Sequence, residues 1–438
     1  MNYSEAYKKK LVSIKQAISL IKNNSNIWFD YLQPELLLQG LKEALETNSY
    51  SKLDFYYYAS SSDCEETIFQ DKFNHIVKRH CFFYRANERN AFNKYLNGTI
   101  QNNIEYYPFH FSESTKLLNN FDIDTVILLT TDIDNNGYFN LGLSTCYDLD
   151  LIKKAKQVII EVNKNMPYIV GDNHQIHIND VTAIVKSDYK LPEALNVEPS
   201  EEHLKIAEHV ASLIDDRSTI QLGIGSIPNM VCKKLVDKKD LGIHTEILGN
   251  GMVELIKLGV VTNKYKEIDQ GRSTFVFAVG DQDMYKYLDR NDKFKIARFD
   301  YVNNPLNIAK LDNFVSVNSA IEIDLLGNVN AEQIQHKQYS ASGGQADFIR
   351  GASYSKNGKS IIAMKSTTSD YKISKIVTRL KGVTTTLRND LDYVVTEYGV
   401  VNLKAKSIKQ RAKLLISIAH PKFRSYLTRV ARSKHLID

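Results

Sequence analysis

Thr219-Ile220-Gln221-Leu222-Gly223-Ile224-Gly225-Ser226-Ile227-Pro228 reads as a short apolar strand, a tight glycine turn and the opening of a helix near Pro228. A strand feeding directly into a helix is the unit from which parallel sheets are built, because a crossover has to return the chain to the next parallel strand. The same rhythm runs outward on both sides. Just upstream, Ser200 is placed to cap a helix with Glu201 and Glu202 in its first turn and Leu204, Ala207, Val210, Ala211 and Ile214 on one face. Further back, Thr125-Val126-Ile127-Leu128-Leu129 reads as a buried strand, and Lys153 to Lys156 lead into another, Val158-Ile159-Ile160. The chain opens on helical spacing at Leu11, Ile14, Ala17, Ile18 and Ile21. It closes on two basic amphipathic helices around Ala419-His420-Pro421, read as packing helices with a solvated face. The expected class is α/β.

A chain of 438 residues is longer than one core ordinarily organises. Pro192 and Pro199 interrupt a polar stretch over 187–200, which places a linker there and divides the chain into domains 1–190 and 191–438. The halves echo one another. Asp134-Asn135-Asn136-Gly137-Tyr138-Phe139-Asn140 and Asp324-Leu325-Leu326-Gly327-Asn328-Val329-Asn330 share the pattern D-x-x-G-x-apolar-N, each after an apolar strand. The expected architecture is two related open α/β domains with the active site in the cleft between them.

Apolar content of 43% and charged content of 24% are those of a soluble globular protein. With 56 basic and 51 acidic residues, the net charge of +5 suits an anionic small ligand and is no nucleic-acid footprint. No apolar run approaches a membrane span, and the N-terminal segment, interrupted by Lys15 and Gln16, lacks a secretory apolar core. Cys64, Cys81, Cys146 and Cys232 are far apart and without metal-ligand spacing, so reduced thiols and a cytoplasmic location are expected.

Several motifs fail on inspection. The third glycine of a dinucleotide fingerprint would fall on Pro228, which argues against a nicotinamide or flavin enzyme. Gly223 and Gly225 still allow close approach of a phosphate or carboxylate to a helix N-terminus. Asp132-x-Asp134-x-Asn136-Gly137 imitates a calcium loop, but its twelfth position is Leu143, and the stretch is read as a β-turn. His174, His177 and Asp180 match no zinc spacing and are read as satisfied surface residues, so no metal is expected. Gly242-Ile243-His244-Thr245-Glu246-Ile247-Leu248-Gly249-Asn250-Gly251 is different. On an extended segment His244 and Glu246 share one face while Ile243 and Ile247 turn to the core, and glycines follow where the backbone must bend. A lone carboxylate is more often an ion-pair partner. Here it is accompanied by a second glycine-paired loop, Ser342-Gly343-Gly344-Gln345-Ala346-Asp347-Phe348, whose amides suit a developing oxyanion.

The ordered series Gln221 to Pro228, Lys238 to Glu246, Tyr301-Val302-Asn303-Asn304-Pro305, Ser342 to Phe348 and Asp392-Tyr393-Val394-Val395-Thr396-Glu397-Tyr398-Gly399 resembles the acetyl-CoA hydrolase/transferase family. Within it the likeness is nearest to the 4-hydroxybutyrate and butyryl-CoA:acetate CoA-transferases, of the family I CoA-transferase type. A weaker likeness continues in Phe111-Ser112-Glu113, Gly137-Tyr138-Phe139 and Glu161 to Pro167. The resemblance implies that Glu246 is the catalytic glutamate, Gly343 and Gly344 the oxyanion loop, and Glu397 a second active-site glutamate. It places Gln345 and Asp347 close to the bound coenzyme, and an asparagine beside the substrate at Asn303 or Asn304, a choice the sequence leaves open. Lys372 is assigned to the pantetheine or phosphate end. The family's glycine-rich loop after the first strand is replaced by Asn26-Ile27-Trp28-Phe29-Asp30-Tyr31-Leu32-Gln33-Pro34-Glu35, without a glycine.

What the resemblance implies is CoA transfer between a short-chain acyl-CoA and a carboxylic acid of the acetate, butyrate or 4-hydroxybutyrate class, through a glutamyl-CoA thioester on Glu246. Coenzyme A and acyl-CoA are then substrates, no cofactor is bound permanently, and a homodimer is expected. Two alternatives remain: an acyl-CoA hydrolase on the same framework, and a non-catalytic acyl-CoA-binding homologue.

Overall fold

The structure is a computed structural model and describes residues 3–146, 149–194 and 198–438. The chain forms two compact units. One comprises Met1–Phe109, Glu113–Glu193 and Asp281–Phe299, the other His110–Ser112, Ala194–Gly280 and Asp300–Asp438. The stretch read as a linker contains the change of unit after Glu193, and its residues 195–197 lie outside the described residues. The return of residues 281–299 to the first unit has no signature in the sequence.

In the first unit, β1 (Asn26–Phe29), β2 (Leu53–Tyr57), β3 (Val77–Cys81), β4 (Ile104–Tyr106), β5 (Thr125–Thr130), β6 (Gln157–Asn163) and β7 (Ala183–Ser187) form a parallel sheet in the order β4-β3-β2-β1-β5-β6-β7. Helices cover such sheets on both faces, so the strands read as continuous apolar runs. Every residue of β2 and of β5 is buried. The aromatic run beginning at Phe55 is packing: Tyr57 stacks on Phe29 with centroids 5.0 Å apart.

The opening segment is not one helix. It breaks between Tyr3–Lys10 and Ile14–Ser19, where Ser13 N donates to Gln16 Oε1 (2.9 Å) and Ser13 Oγ accepts from Gln16 N (3.2 Å). This reciprocal cap is spelled in the sequence as S-x-x-Q and outranks the longer apolar spacing. The glycine-free stretch after β1 is braced by side chains. Gln33 Nε2 donates to the carbonyls of Asp30, Tyr31 and Ala59, and its Oε1 accepts from Ser61 N.

The second unit repeats the plan. Strands β8 (Thr219–Leu222), β9 (Gly242–Gly249), β10 (Ser273–Val279), β11 (Phe314–Asn318), β12 (Lys359–Ala363), β13 (Tyr393–Thr396) and β14 (Gly399–Asn402) are ordered β10-β9-β8-β11-β12-β13-β14. All pairings are parallel except the hairpin β13–β14. In both units successive strands run outward from the first one in one direction, then the order reverses across it. The helices of this unit include α1 (Glu201–Ala211), α2 (Ser226–Lys234), α3 (Gln345–Tyr354), α4 (Ile408–Ser417) and α5 (Pro421–Ser433). The predicted face of α1 is buried at Ala207, Val210 and Ala211, with Ile206, whereas Leu204 is exposed.

The echoed motif is a repeat at the level of atoms. Asp134 Oδ1 accepts from Asn136 N and Tyr138 N, both 2.8 Å, and Asp324 Oδ1 accepts from Leu326 N (3.0 Å) and Asn328 N (2.9 Å). Gly137 and Gly327 take positive φ, 85° and 96°, which explains their fixed place in the pattern. The closing asparagines match in one bond, Asn140 Oδ1 accepting from Gly142 N and Asn330 Oδ1 from Glu332 N, each two residues on; their second donors, Ile169 N and Gln333 N, are not equivalent. Asp324→Ala strands two backbone donors and is expected to cost about 1–3 kcal/mol, whereas Asp324→Asn keeps an acceptor and loses less. Urea titration of both variants checks this ordering.

Candidate active site

Open α/β sheets bind ligands beyond the carboxyl ends of their strands, where the strand order reverses. In the second unit that place lies at the ends of β8, β9 and β11. β9 pairs with β8 only through Gly242 and Ile243, but with β10 as far as Gly249. Past Ile243 the Thr245 hydroxyl reaches Leu222 O at 3.1 Å in place of a ladder bond. Ile243 is buried as expected; Ile247 is only half-buried, because it extends past the end of β8. Glu246 occupies this departing segment.

Among the described residues, three groups act on the carboxylate. Asn303 Nδ2 donates to Glu246 Oε2 at 2.7 Å. The Gly344 amide faces the same group and favours its charged form, while the Asp347 carboxylate disfavours it. Burial has the largest effect, and the Glu246 pKa is pushed up to about 7. A carboxyl group placed this way is half protonated near neutral pH, as a group with a chemical task often is.

The sequence left two asparagines open, and they do different things. Asn303 is wholly buried against Glu246. Asn304 caps the short helix Pro305–Ile308, its Oδ1 accepting from Leu306 N at 3.0 Å. Asn303→Ala is therefore expected to lower turnover by about 10²-fold, the scale of one lost charge-stabilising donor. It should also move the alkaline-rising limb of the pH–rate profile upward, since the lost hydrogen bond favours the carboxylate. Asn304→Ala should lose stability and leave that limb in place.

Gly343 turns the chain at φ 53°, and Gly344 is the N-cap of α3. A β-carbon on Gly344 would lie 2.0 Å from Glu246 Oε2 and 2.2 Å from Asn303 Nδ2. The absent side chain is what lets the helix N-terminus reach the carboxylate. Gln345 Nε2 donates to Ser319 O at 3.1 Å, tying α3 to the end of β11. Asp347 is buried and accepts from Ser112 N (3.0 Å) and Ser112 Oγ (2.7 Å). Ser112 has no role assigned by sequence, and its bond to Asp347 spans 235 positions, so no local pattern reveals it.

Glu397 occupies the two-residue turn between β13 and β14, and its carboxylate accepts from Ser366 N (2.9 Å) and Ser366 Oγ (2.5 Å). Nearby, Lys365 lies 3.6 Å from Glu202. Gly223 lines a crevice of about 260 Å³ together with His203, Ser226, Asn318 and Ala363. Gly225 has φ 118°, and Ile224 packs 3.9 Å from the β-carbon position of Gly249, which brings this turn beside the end of β9. Lys372 is exposed and 3.6 Å from Asp370. His174 is buried, not at the surface, with Nε2 2.7 Å from Gly142 O.

Profiles of the acetyl-CoA hydrolase/transferase N-terminal and C-terminal domains match residues 1–196 and 280–431. The chain is 39% identical to the 4-hydroxybutyrate coenzyme A transferase of Clostridium kluyveri over 98% of each sequence. It is 36% identical to the butyryl-CoA:acetate CoA-transferase of Anaerostipes caccae over 77% of this chain and 78% of that one. The crystal structure of RipA from Yersinia pestis superposes with a TM-score of 0.95 at 39% identity, covering all of both chains. With both domain profiles matched in order over most of its length, the chain belongs to the acetyl-CoA hydrolase/transferase family, as an enzyme of its CoA-transferase kind.

Proposed function

We propose that the protein transfers coenzyme A between a short-chain acyl-CoA and a carboxylic acid through a thioester on Glu246. The observation that carries this reading is the meeting of one carboxylate, one amide donor and one helix-terminal amide at Glu246, Asn303 and Gly344. Ionised Glu246 attacks the thioester carbonyl, the C–S bond breaks, and CoA thiolate leaves a mixed anhydride. The thiolate then attacks the glutamyl carbonyl. The C–O bond to the acyl carboxylate breaks, giving free acid and glutamyl-CoA. A second carboxylate attacks that thioester, the thiolate returns to the new acyl carbonyl, and Glu246 is regenerated as a carboxylate. Splitting the exchange in this way replaces one difficult step with easier ones.

A carboxylate is a weak nucleophile, and the surroundings compensate. Each fixed donor aimed at a developing oxyanion contributes ~3 kcal/mol. Holding thiolate and anhydride together contributes on the order of 7–11 kcal/mol at most. The raised basicity of Glu246 helps in the same direction, at the cost of a smaller ionised fraction below neutrality. Gln345 and Asp347, engaged in internal hydrogen bonds, hold α3 in place, and Gly223 borders space for the ligand.

The scheme requires a half-reaction without a second acid. Labelled acetate should exchange into acetyl-CoA when enzyme, acetate and acetyl-CoA are the only components. Loss of acetyl-CoA to free CoA, with no label incorporated, would instead assign water as the acceptor and make the protein a hydrolase. Tight CoA binding with neither outcome would leave a binding protein.

A further inference from the structure

Glu246 and His244 lie two residues apart on β9, and His244 is completely buried. Its Nε2 is 2.7 Å from Val302 O, so this nitrogen carries the proton and donates. The next residue is Asn303, whose amide donates to Glu246 at 2.7 Å. Strand, histidine, turn, asparagine and nucleophile thus close a ring of two short hydrogen bonds. The turn has a second tie, Tyr301 Oη to Asp269 Oδ2 at 3.0 Å, while Asn304 fixes its far end as a helix cap. Tyr301 secures the start of the turn; His244 secures the peptide immediately before Asn303.

We infer that His244 is a positioning residue for the transfer reaction: by holding Val302 O it sets the Asn303 amide on the Glu246 carboxylate. The inference rests on Glu246 being the nucleophile. His244 acts through Asn303. A turn released at Val302 swings the asparagine away, and misplacement by about 1 Å is enough to cost on the order of 10²-fold in rate.

The test uses His244→Phe, which keeps an aromatic ring without the donor, and His244→Gln, whose amide reaches the same carbonyl. The Phe variant should lose about 10- to 100-fold in kcat with KM for acyl-CoA little changed, and the Gln variant should recover most of it. Combined with Asn303→Ala, the Phe substitution should cost nothing further; an additive loss would overturn the inference. If the Phe variant does not fold, His244→Asn, too short to reach Val302 O, carries the same comparison. A readout independent of turnover is the pH dependence of Glu246 modification by a water-soluble carbodiimide, followed by peptide mass spectrometry. Its midpoint should move upward in His244→Phe as in Asn303→Ala, and a wild-type midpoint in a slow variant would mean a merely structural histidine. If the wild-type enzyme forms no CoA adduct on Glu246, the transfer mechanism falls, while this titration still decides the role of His244.

Discussion

Gly344→Ala is expected to yield a folded protein with turnover reduced by at least ~10²-fold. The backbone tolerates alanine there, at φ −88° and ψ 3°. The space does not: the added methyl would stand 2.0 Å from Glu246 Oε2 and 2.2 Å from Asn303 Nδ2. No real β-carbon contact is that short, so the carboxylate, the asparagine or α3 must move, and each movement dismantles the arrangement around Glu246. Gly343→Ala is a useful contrast. Its φ of 53° strains any L-residue, so that variant should lose stability as well as rate. Thermal melts beside initial rates separate the two: an inactive Gly344→Ala protein with a melting temperature close to wild type is the expected result.

Removing the Glu246 carboxylate should have the larger effect. Glu246→Ala is expected to lower turnover by roughly 10⁴-fold or more, the scale of losing a covalent catalyst outright. Glu246→Gln separates charge from shape. It keeps an acceptor for Asn303 but cannot form the thioester, and it should be as inactive as alanine. Stability should respond in the opposite sense. The folded pKa of Glu246, about 7, lies above its ordinary value of 4.5. The group therefore binds a proton more tightly in the folded state, and this contribution is fully present below about pH 4.5 and lost as pH rises through about 7. Above pH 7 the folded protein holds an ionised carboxylate in a poorly solvated place, at a cost of at most about 3 kcal/mol. Glu246→Gln should be more stable than wild type at pH 8, with the difference closing below pH 5. Activity should run the other way in the wild type, kcat/KM rising with pH toward a plateau above about 7 as Glu246 ionises.

Much of this was legible in the chain. The strand–glycine–helix unit at 219–228 announced parallel α/β structure because it combines a period, a turn residue and a helix start within ten positions. The paired D-x-x-G motifs announced duplication because the same aspartate–amide bonds and positive-φ glycine recur in both turns. The Glu246 strand and the Gly343-Gly344 loop could be named because each carries its own local signal. What joins them could not. Asn303 and Asn304 are equivalent letters until one is seen to cap a helix and the other to touch a carboxylate. Ser112 and Asp347, Gln345 and Ser319, and His244 and Val302 are contacts across the fold, with no spacing rule behind them. The carboxylate pKa was equally invisible, because it is set by burial and by neighbours remote in sequence. At 26–35 the absence of glycine suggested an altered loop; the fold builds it with the Gln33 side chain instead, which no glycine pattern reports.

The most direct measurement is mass spectrometry of the protein after brief incubation with acetyl-CoA, followed by digestion and sequencing of any modified peptide. A CoA-sized increment is expected on Glu246 and on no other residue, removed by added carboxylate with formation of the matching acyl-CoA and missing from Glu246→Gln. An active enzyme whose Glu246 stays unmodified, or whose Glu246→Gln variant still turns over, would contradict it.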